Sequence, residues 1–328
     1  MSVVEVVTGA RLHFGLICGE PSSANRFGGI GLMLRQPCWW ISAERSETFS
    51  CSAKSIDVRQ RIEQTLPAIS RNAGLSGLRV VVAEELSLHR GLGAGTQLTL
   101  AVATAAGIVA GQPRPIDSRS LAFELNRSRR SAVGTFGFDQ GGLIVDGGQA
   151  VDGSDRSLRK YELPEAWRVV LISPVGDVGL SGTEEESVFE ESRWMSGSIV
   201  ERQVELIHDS ILPAVQVADF ETFREAMESY GQTAGSFFAP KQGGIYSSAV
   251  VRQMSAIPEL KDLQPIQSSW GPTVAVFAKS VQHAKGIVER IQRTRVASRL
   301  SCQITEPLNC GATVRTIAPE ASDQVVRG

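Results

Sequence analysis

The chain has 328 residues, of which 42% are hydrophobic and 21% charged, and a formal net charge of −2 from 33 basic and 35 acidic side chains. At ~150 residues per domain this length suggests two domains or one large one, with enough apolar material for a core without staples. The balanced charge argues against a dedicated nucleic-acid binder, and no apolar run approaches the ~18 residues of a membrane helix. Five widely spaced cysteines with no CxxC pair indicate neither a zinc knuckle nor a disulfide framework, and read as reduced thiols of a cytoplasmic protein. No basic region precedes Val3–Val7, so the opening does not read as a signal peptide. Glycine is the departure from ordinary usage, with 32 residues.

In chain order, residues 3–7 (Val-Val-Glu-Val-Val) predict a buried strand, and residues 18–31, rich in Gly, Pro, Ser and Asn, predict a loop. Strands are expected at 39–42 and 48–52. Ile62, Leu66 and Ile69 recur at helical spacing before a stop at 72–74. A β-rich run at 78–83 leads to Gly91-Leu92-Gly93-Ala94-Gly95 and an apolar helix ending near Val109. Another helix fits 118–130, and a Gly-rich segment over 134–142 leads into Leu143-Ile144-Val145-Asp146-Gly147. The polar stretch 148–159 is the expected domain boundary, giving domains 1–158 and 159–328. The second half reads α+β: strands at 168–173, 273–278 and 312–317, and helices near 184–194, 199–217, 219–231, 245–254 and 281–292.

Chemistry concentrates where glycine does. Six glycines fall in residues 9–31, three in 91–95 and six in 134–148, nearly half of the total in three segments. Gly91, Leu92, Gly93, Ala94, Gly95, Thr96 and Gln97 stand at the mouth of a helix. There, glycine lets the backbone approach a ligand and successive N–H groups offer an anion site. A tight strand–helix turn without a ligand would use the same residues. Arg11, His13 and Arg26 lie beside permissive backbone at Gly28 and Gly29, and arginine forks suit phosphate or carboxylate groups. Asp139 is the single carboxylate among the glycines of 134–142. It reads equally as an Asx-turn residue, and Asp146 reads as a turn residue. Ser268, Ser269 and Trp270 form an unusual turn before a strand. The four histidines form no cluster, so no metal ligands are assigned.

Together these segments resemble the GHMP kinase superfamily. Its phosphate loop reads Pro-x-x-x-Gly-Leu-Gly-Ser-Ser-Ala. Here Ser87 stands at the proline, Ala94 and Gly95 stand at the two serines, and the third glycine-rich motif of the kinases is replaced by Ser268-Ser269-Trp270-Gly271-Pro272-Thr273. These departures are similar to a non-kinase branch, the β-ribofuranosylaminobenzene 5′-phosphate synthase family. The blocks that carry the likeness are Arg11-x-His13-Phe14-Gly15, Arg26-Phe27-Gly28-Gly29-Ile30-Gly31, Gly91 to Gln97, Asp139 to Gly148, and Gln267 to Pro272.

The resemblance implies an α+β, two-domain GHMP kinase-like fold, with an N-terminal domain like ribosomal protein S5 domain 2 and a ferredoxin-like C-terminal domain. It also implies a transferase step in tetrahydromethanopterin biosynthesis. Phosphoribosyl pyrophosphate would condense with 4-aminobenzoate or 4-hydroxybenzoate to a C-riboside, with loss of CO2 and pyrophosphate. Within that implication Asp139, His13 and Arg26 are the catalytic candidates, and residues 91–97 hold the pyrophosphate. Arg11, Gly28, Gly29, Ser268, Ser269 and Trp270 meet substrate. Mg2+ arrives on the substrate pyrophosphate, no organic cofactor is needed, and a homodimer is compatible with the family. An ATP-dependent small-molecule kinase is the competing reading, and a non-catalytic binding module a third.

Overall fold

The computed structural model describes residues 2–20, 28–112, 131–148, 157–179 and 194–318. Arg26, the expected helix at 118–130 and residues 184–193 lie outside them. Among the described residues no helix is long and apolar enough to cross a membrane.

The first sheet is built on two long strands, β1 (Val3–Ile17) and β2 (Gly28–Arg45). They pair antiparallel from Val4–Ala43 to Ile17–Gly28, with irregularities between Gly9 and Arg11 and between His13 and Leu16. The sheet continues through β4 (Leu78–Glu84) to the short β3 (Ser50–Ser52), which runs parallel to β4. On the other side of the bulge, β5 (Leu143–Asp146) pairs with β2, and β6 (Leu158–Tyr161) with β5. The expected division at 158/159 thus falls within a strand of the first sheet. The last strand, β11 (Thr313–Ile317), also joins this sheet by pairing with Val3–Val7. Helices α1 (Ile56–Asn72) and α2 (Ala94–Val109) bury Val58, Ile62, Leu66, Leu98, Val102 and Ala105 among the inward residues of β1, β2 and β4.

The second sheet has the order β10 (Leu300–Thr305), β7 (Arg168–Pro174), β9 (Val274–Ala278), β8 (Ile266–Gln267), every neighbour antiparallel. In their own chain order these strands lie 4-1-3-2, the ferredoxin-like arrangement. Helices α4 (Gly197–Glu205), α5 (Leu212–Gln216), α6 (Phe220–Gln242) and α7 (Ala249–Ser255) precede β8, and α8 (Val281–Gln292) follows β9. An α+β architecture of two sheets, the second ferredoxin-like, is therefore observed.

Several expectations give way to packing. The loop expected over 18–31 ends earlier, because the strand pairs with β1 from Gly28 and with β5 from Gly29. Glycine there serves contact: a Cβ on Gly31 would lie 2.4 Å from Val133 Cγ1 and 2.6 Å from Leu12 O. The turn expected over 134–142 is a helix, α3 (Val133–Gln140). Its two glycines lower helix propensity, yet Gly137 lets α3 lie directly on Met33 and Ile144, 2.6 and 2.8 Å from its would-be Cβ. Helix α6 runs past the expected stop at 231 because Gly231 and Gly235 seat it against Ile266 and Ile245. The helix expected over 199–217 is interrupted by a wide turn, Leu206–Ile211, just before Pro213, which lacks an N–H to continue the ladder. β10, whose alternate residues are exposed, gave no clear strand signal.

β1 is longer than β11, so the rest of its edge needs other partners. Beyond the β11 pairing, the Arg11 N–H donates to Leu92 O at 2.9 Å. The His13 N–H donates to Ser268 Oγ at 3.0 Å, and the Ser269 N–H to His13 O at 2.7 Å. Ser268 is fully buried, and its Oγ–H donates to Gly91 O at 2.6 Å. One hydroxyl thus joins strand β1, the loop before α2 and the β8–β9 turn.

This packing sets two expectations for stability. Ser268→Ala strands the His13 N–H and the Gly91 carbonyl, and a urea melt should show a loss of about 2–3 kcal/mol. Glu228 on α6 is buried beside Arg224, whose Nη1 lies 2.7 Å from both carboxylate oxygens, and burial nonetheless pushes its carboxyl up to about 7. The folded chain then holds this proton more tightly than the unfolded chain, whose carboxyl titrates near 4.5. Stability should therefore fall as pH rises through that interval, and Glu228→Gln should flatten the fall in urea midpoints measured from pH 5 to pH 8.

Candidate active site

The loop before α2 is shaped by glycine. Gly91 and Gly93 both take left-handed backbone, at φ +77° and +67°. Gly91 also passes so close to the β8–β9 turn that a Cβ would lie 2.3 Å from Ser268 O. The start of α2 is fixed from beneath by Trp39, whose indole N–H donates to Ala94 O at 3.0 Å. The first donors inside the helix are the N–H groups of Thr96 and Gln97, both to Gly93 O at 3.1 Å. The Ala94 and Gly95 N–H groups stand ahead of them at the positive end of the helix, whose first turn contains no acid.

The Gln97 side chain has another place than the one expected of a phosphate-loop residue. It is fully buried. Thr8 Oγ1 donates to its Oε1 at 2.7 Å, and its Nε2 donates to Gly134 O at 2.7 Å. Gln97 therefore ties β1, α2 and α3 together, and its amide is committed to the chain.

Arg11 crosses between the loop and α3. Its side chain passes 3.1 Å from the position a Cβ would take on Gly93, and its Nε lies 3.5 Å from the same position on Gly134. Glycine at these two positions is what lets the guanidinium stem through. His13, two residues on, is buried at 4% exposure, with its Nε2 3.1 Å from Ser131 Oγ. Ser269 takes left-handed backbone at φ +53°, rare for a residue with a Cβ, and is part-exposed next to His13. Trp270 is buried, its ring edge-on to Phe238 with centroids 4.8 Å apart. Gly28 and Gly29 lie farther along the hairpin, paired with Ile17 and Leu16, where Gly29 backs onto Gly15 and Tyr230.

The structure thus brings together Arg11, His13, the 91–97 loop and the Ser268–Trp270 turn. It does not bring Asp139 to them. Asp139 is exposed near the C-terminal end of α3, about 7.5 Å of helix rise beyond Gly134, with its carbonyl against the Gly311 backbone. The expectation of a carboxylate in a glycine turn fails because that turn is helical. The carboxylate linked to His13 through Ser131 is instead Asp146.

Sequence reasoning also missed Arg61. From α1 its Nη2 lies 3.5 Å from the position a Cβ would take on Gly95, at van der Waals distance. Its Nε is buried with no hydrogen-bond partner, and its guanidinium has no ion pair among the described residues. A lone cation beside the positive end of a helix is unfavourable by itself and becomes favourable once an anion sits between them. In sequence Arg61 is one more polar residue before the core Ile62, and only the docking of α1 on α2 reveals it. Among the described residues no three His, Cys, Asp or Glu side chains cluster in a way that could hold a metal ion.

No protein-family model matches the chain. Curated relatives do. The β-ribofuranosylphenol 5′-phosphate synthase of Archaeoglobus fulgidus is 29% identical over 325 residues, 94% of this chain and 98% of that protein. The enzyme of the same name from Methanothermobacter thermautotrophicus is 26% identical over 295 residues, covering 83% and 88%. Among solved structures, the phosphomevalonate kinase of Streptococcus pneumoniae superposes with a TM-score of 0.66 at 12% identity, covering 94% of this chain and 100% of that one. The kinase likeness establishes the fold, and the synthase likeness runs through nearly the whole sequence. Over most of its length the chain is similar to β-ribofuranosylphenol 5′-phosphate synthases, and its fold is that of the GHMP kinases.

Proposed function

We propose that the protein condenses phosphoribosyl pyrophosphate with a para-substituted benzoate, 4-hydroxybenzoate or 4-aminobenzoate, to form a C-linked ribosyl arene 5′-phosphate. The bond from ribose C1 to the pyrophosphate oxygen breaks, and its electrons leave with pyrophosphate. The ring carbon bearing the carboxylate attacks C1, and release of CO2 returns the electron pair that restores aromaticity. The names of the relatives, whose product is a ribofuranosylphenol phosphate, favour the hydroxy acceptor. This reaction would be a step of tetrahydromethanopterin assembly.

The observation that carries the reading is the electropositive pair at the loop: the α2 N-terminus and the Arg61 guanidinium beside Gly95. Pyrophosphate departure builds negative charge, and preorganised N–H groups and a guanidinium stabilise it where it develops. Mg2+ carried by the pyrophosphate would neutralise further charge. A kinase would use serine hydroxyls at positions 94 and 95, where this chain has Ala94 and Gly95. The guanidinium of Arg61 borders the space such a side chain at 95 would enter. Arg11, beside Gly93, is the second cation of the loop.

The decisive assay incubates the protein with Mg2+, phosphoribosyl pyrophosphate and carboxyl-labelled 4-hydroxybenzoate or 4-aminobenzoate. Labelled CO2 should appear only when both substrates are present. Absence of CO2 with either acceptor, from folded protein that instead passes phosphate from ATP to an alcohol, would establish the kinase. Arg61→Gln should weaken binding of inorganic pyrophosphate about 10- to 100-fold by calorimetry, the scale of a charge-assisted hydrogen bond. Unchanged affinity would remove Arg61 from the site.

A further inference from the structure

Asp146 closes β5 and is 2% exposed. As expected of a turn residue, its Oδ1 accepts the Gly148 N–H at 3.0 Å, but its other oxygen faces inward. Oδ2 accepts the Ala132 N–H at 2.9 Å and the Ser131 hydroxyl at 3.4 Å. Ser131 Oγ also accepts the Val133 N–H at 3.2 Å and lies 3.1 Å from His13 Nε2. Residues from β1, the segment before α3 and the end of β5 thus meet in one line: His13, Ser131, Asp146.

Proton counting gives the line a direction. A hydroxyl has one proton to donate, whereas a carboxylate has none and only accepts. With Asp146 Oδ2 and the Val133 N–H both on Ser131, the hydroxyl proton points to Asp146. The hydrogen between Ser131 and His13 must then belong to the imidazole. We propose that Asp146 and Ser131 are positioning residues that fix His13 as the neutral tautomer with its proton on Nε2. Nδ1 is then the basic nitrogen of the ring. The purpose rests on the reaction proposed above: a 4-hydroxy acceptor loses its hydroxyl proton as the ring attacks, and the imidazole so fixed can accept it at Nδ1.

The chain has four histidines, so a long-range proton–nitrogen NMR spectrum of labelled protein at pH 8 can resolve each ring, with His13→Gln marking the signal that matters. Wild type should show His13 neutral and protonated at Nε2. In Asp146→Asn the side-chain amide can donate to Ser131, which turns the hydroxyl proton toward His13, and the signal should move to the Nδ1–H tautomer. The same variant should lose about 10-fold or more in kcat with KM changed less than about 3-fold. Should Asp146→Asn fail to fold, Ser131→Ala should abolish the tautomer preference and Ser131→Thr should restore it. An Nδ1–H ring or an imidazolium in wild type, a tautomer unmoved in Asp146→Asn, or one indifferent to Ser131→Ala would each overturn the proposal. The spectrum needs no turnover, so the tautomer can be refuted while CO2 release is observed, and the reverse.

Discussion

A β-strand presents hydrogen-bonding groups along both edges, and an edge that is not paired must be covered. Strand β1 has 15 residues, and β2 occupies one of its edges. The other edge is shared among Thr313–Ile317, the carbonyl of Leu92, and the Ser268–Ser269 turn. This sharing places the helix-α2 loop and a turn of the second sheet against the residues of β1 that carry Arg11 and His13. The candidate site is therefore a by-product of satisfying a strand edge, and each of its parts is held by backbone groups that could not remain unpaired.

Glycine makes that assembly possible at close range. The abundance of glycine in the sequence suggests loops, and at Gly91 and Gly93 the left-handed backbone bears this out. At Gly31, Gly134 and Gly137 the missing side chain instead lets a strand, an arginine and a helix occupy the same few ångströms. Arg11 threads between two such positions. Arg61 meets a third at Gly95, where the kinases' loop would carry a serine. A guanidinium thus lies where that serine side chain would come closest to α1.

Much of this was legible in the sequence. The period of Ile62, Leu66 and Ile69 marks α1, the run from Ala94 marks α2, and Val3–Val7, Leu78–Ala83 and Arg168–Ser173 mark strands. The short motifs also located the 91–97 loop and the Ser268–Trp270 turn, because glycine and turn residues carry local conformational information. What was not legible depends on tertiary contact. Helix α3 forms despite two glycines because it packs on Met33 and Ile144, and with it Asp139 moves out to the surface. Asp146 looks like a turn residue because it precedes two glycines, but it is the last residue of β5. Its link through Ser131 to His13 spans more than 130 residues and leaves no local trace.

The pairing of Val3–Val7 with Thr313–Ile317 also has a bearing on how the chain is made. Synthesis delivers β1 some 300 residues before its β11 partner, and the Ser268 turn only shortly before that partner. Contacts of such high sequence separation are slow to form. During elongation the strand that bears His13 must wait with one bare edge, the kind of surface that recruits chaperones or pairs with another nascent copy. The half of the site that β1 carries is therefore completed only late in the making of the chain.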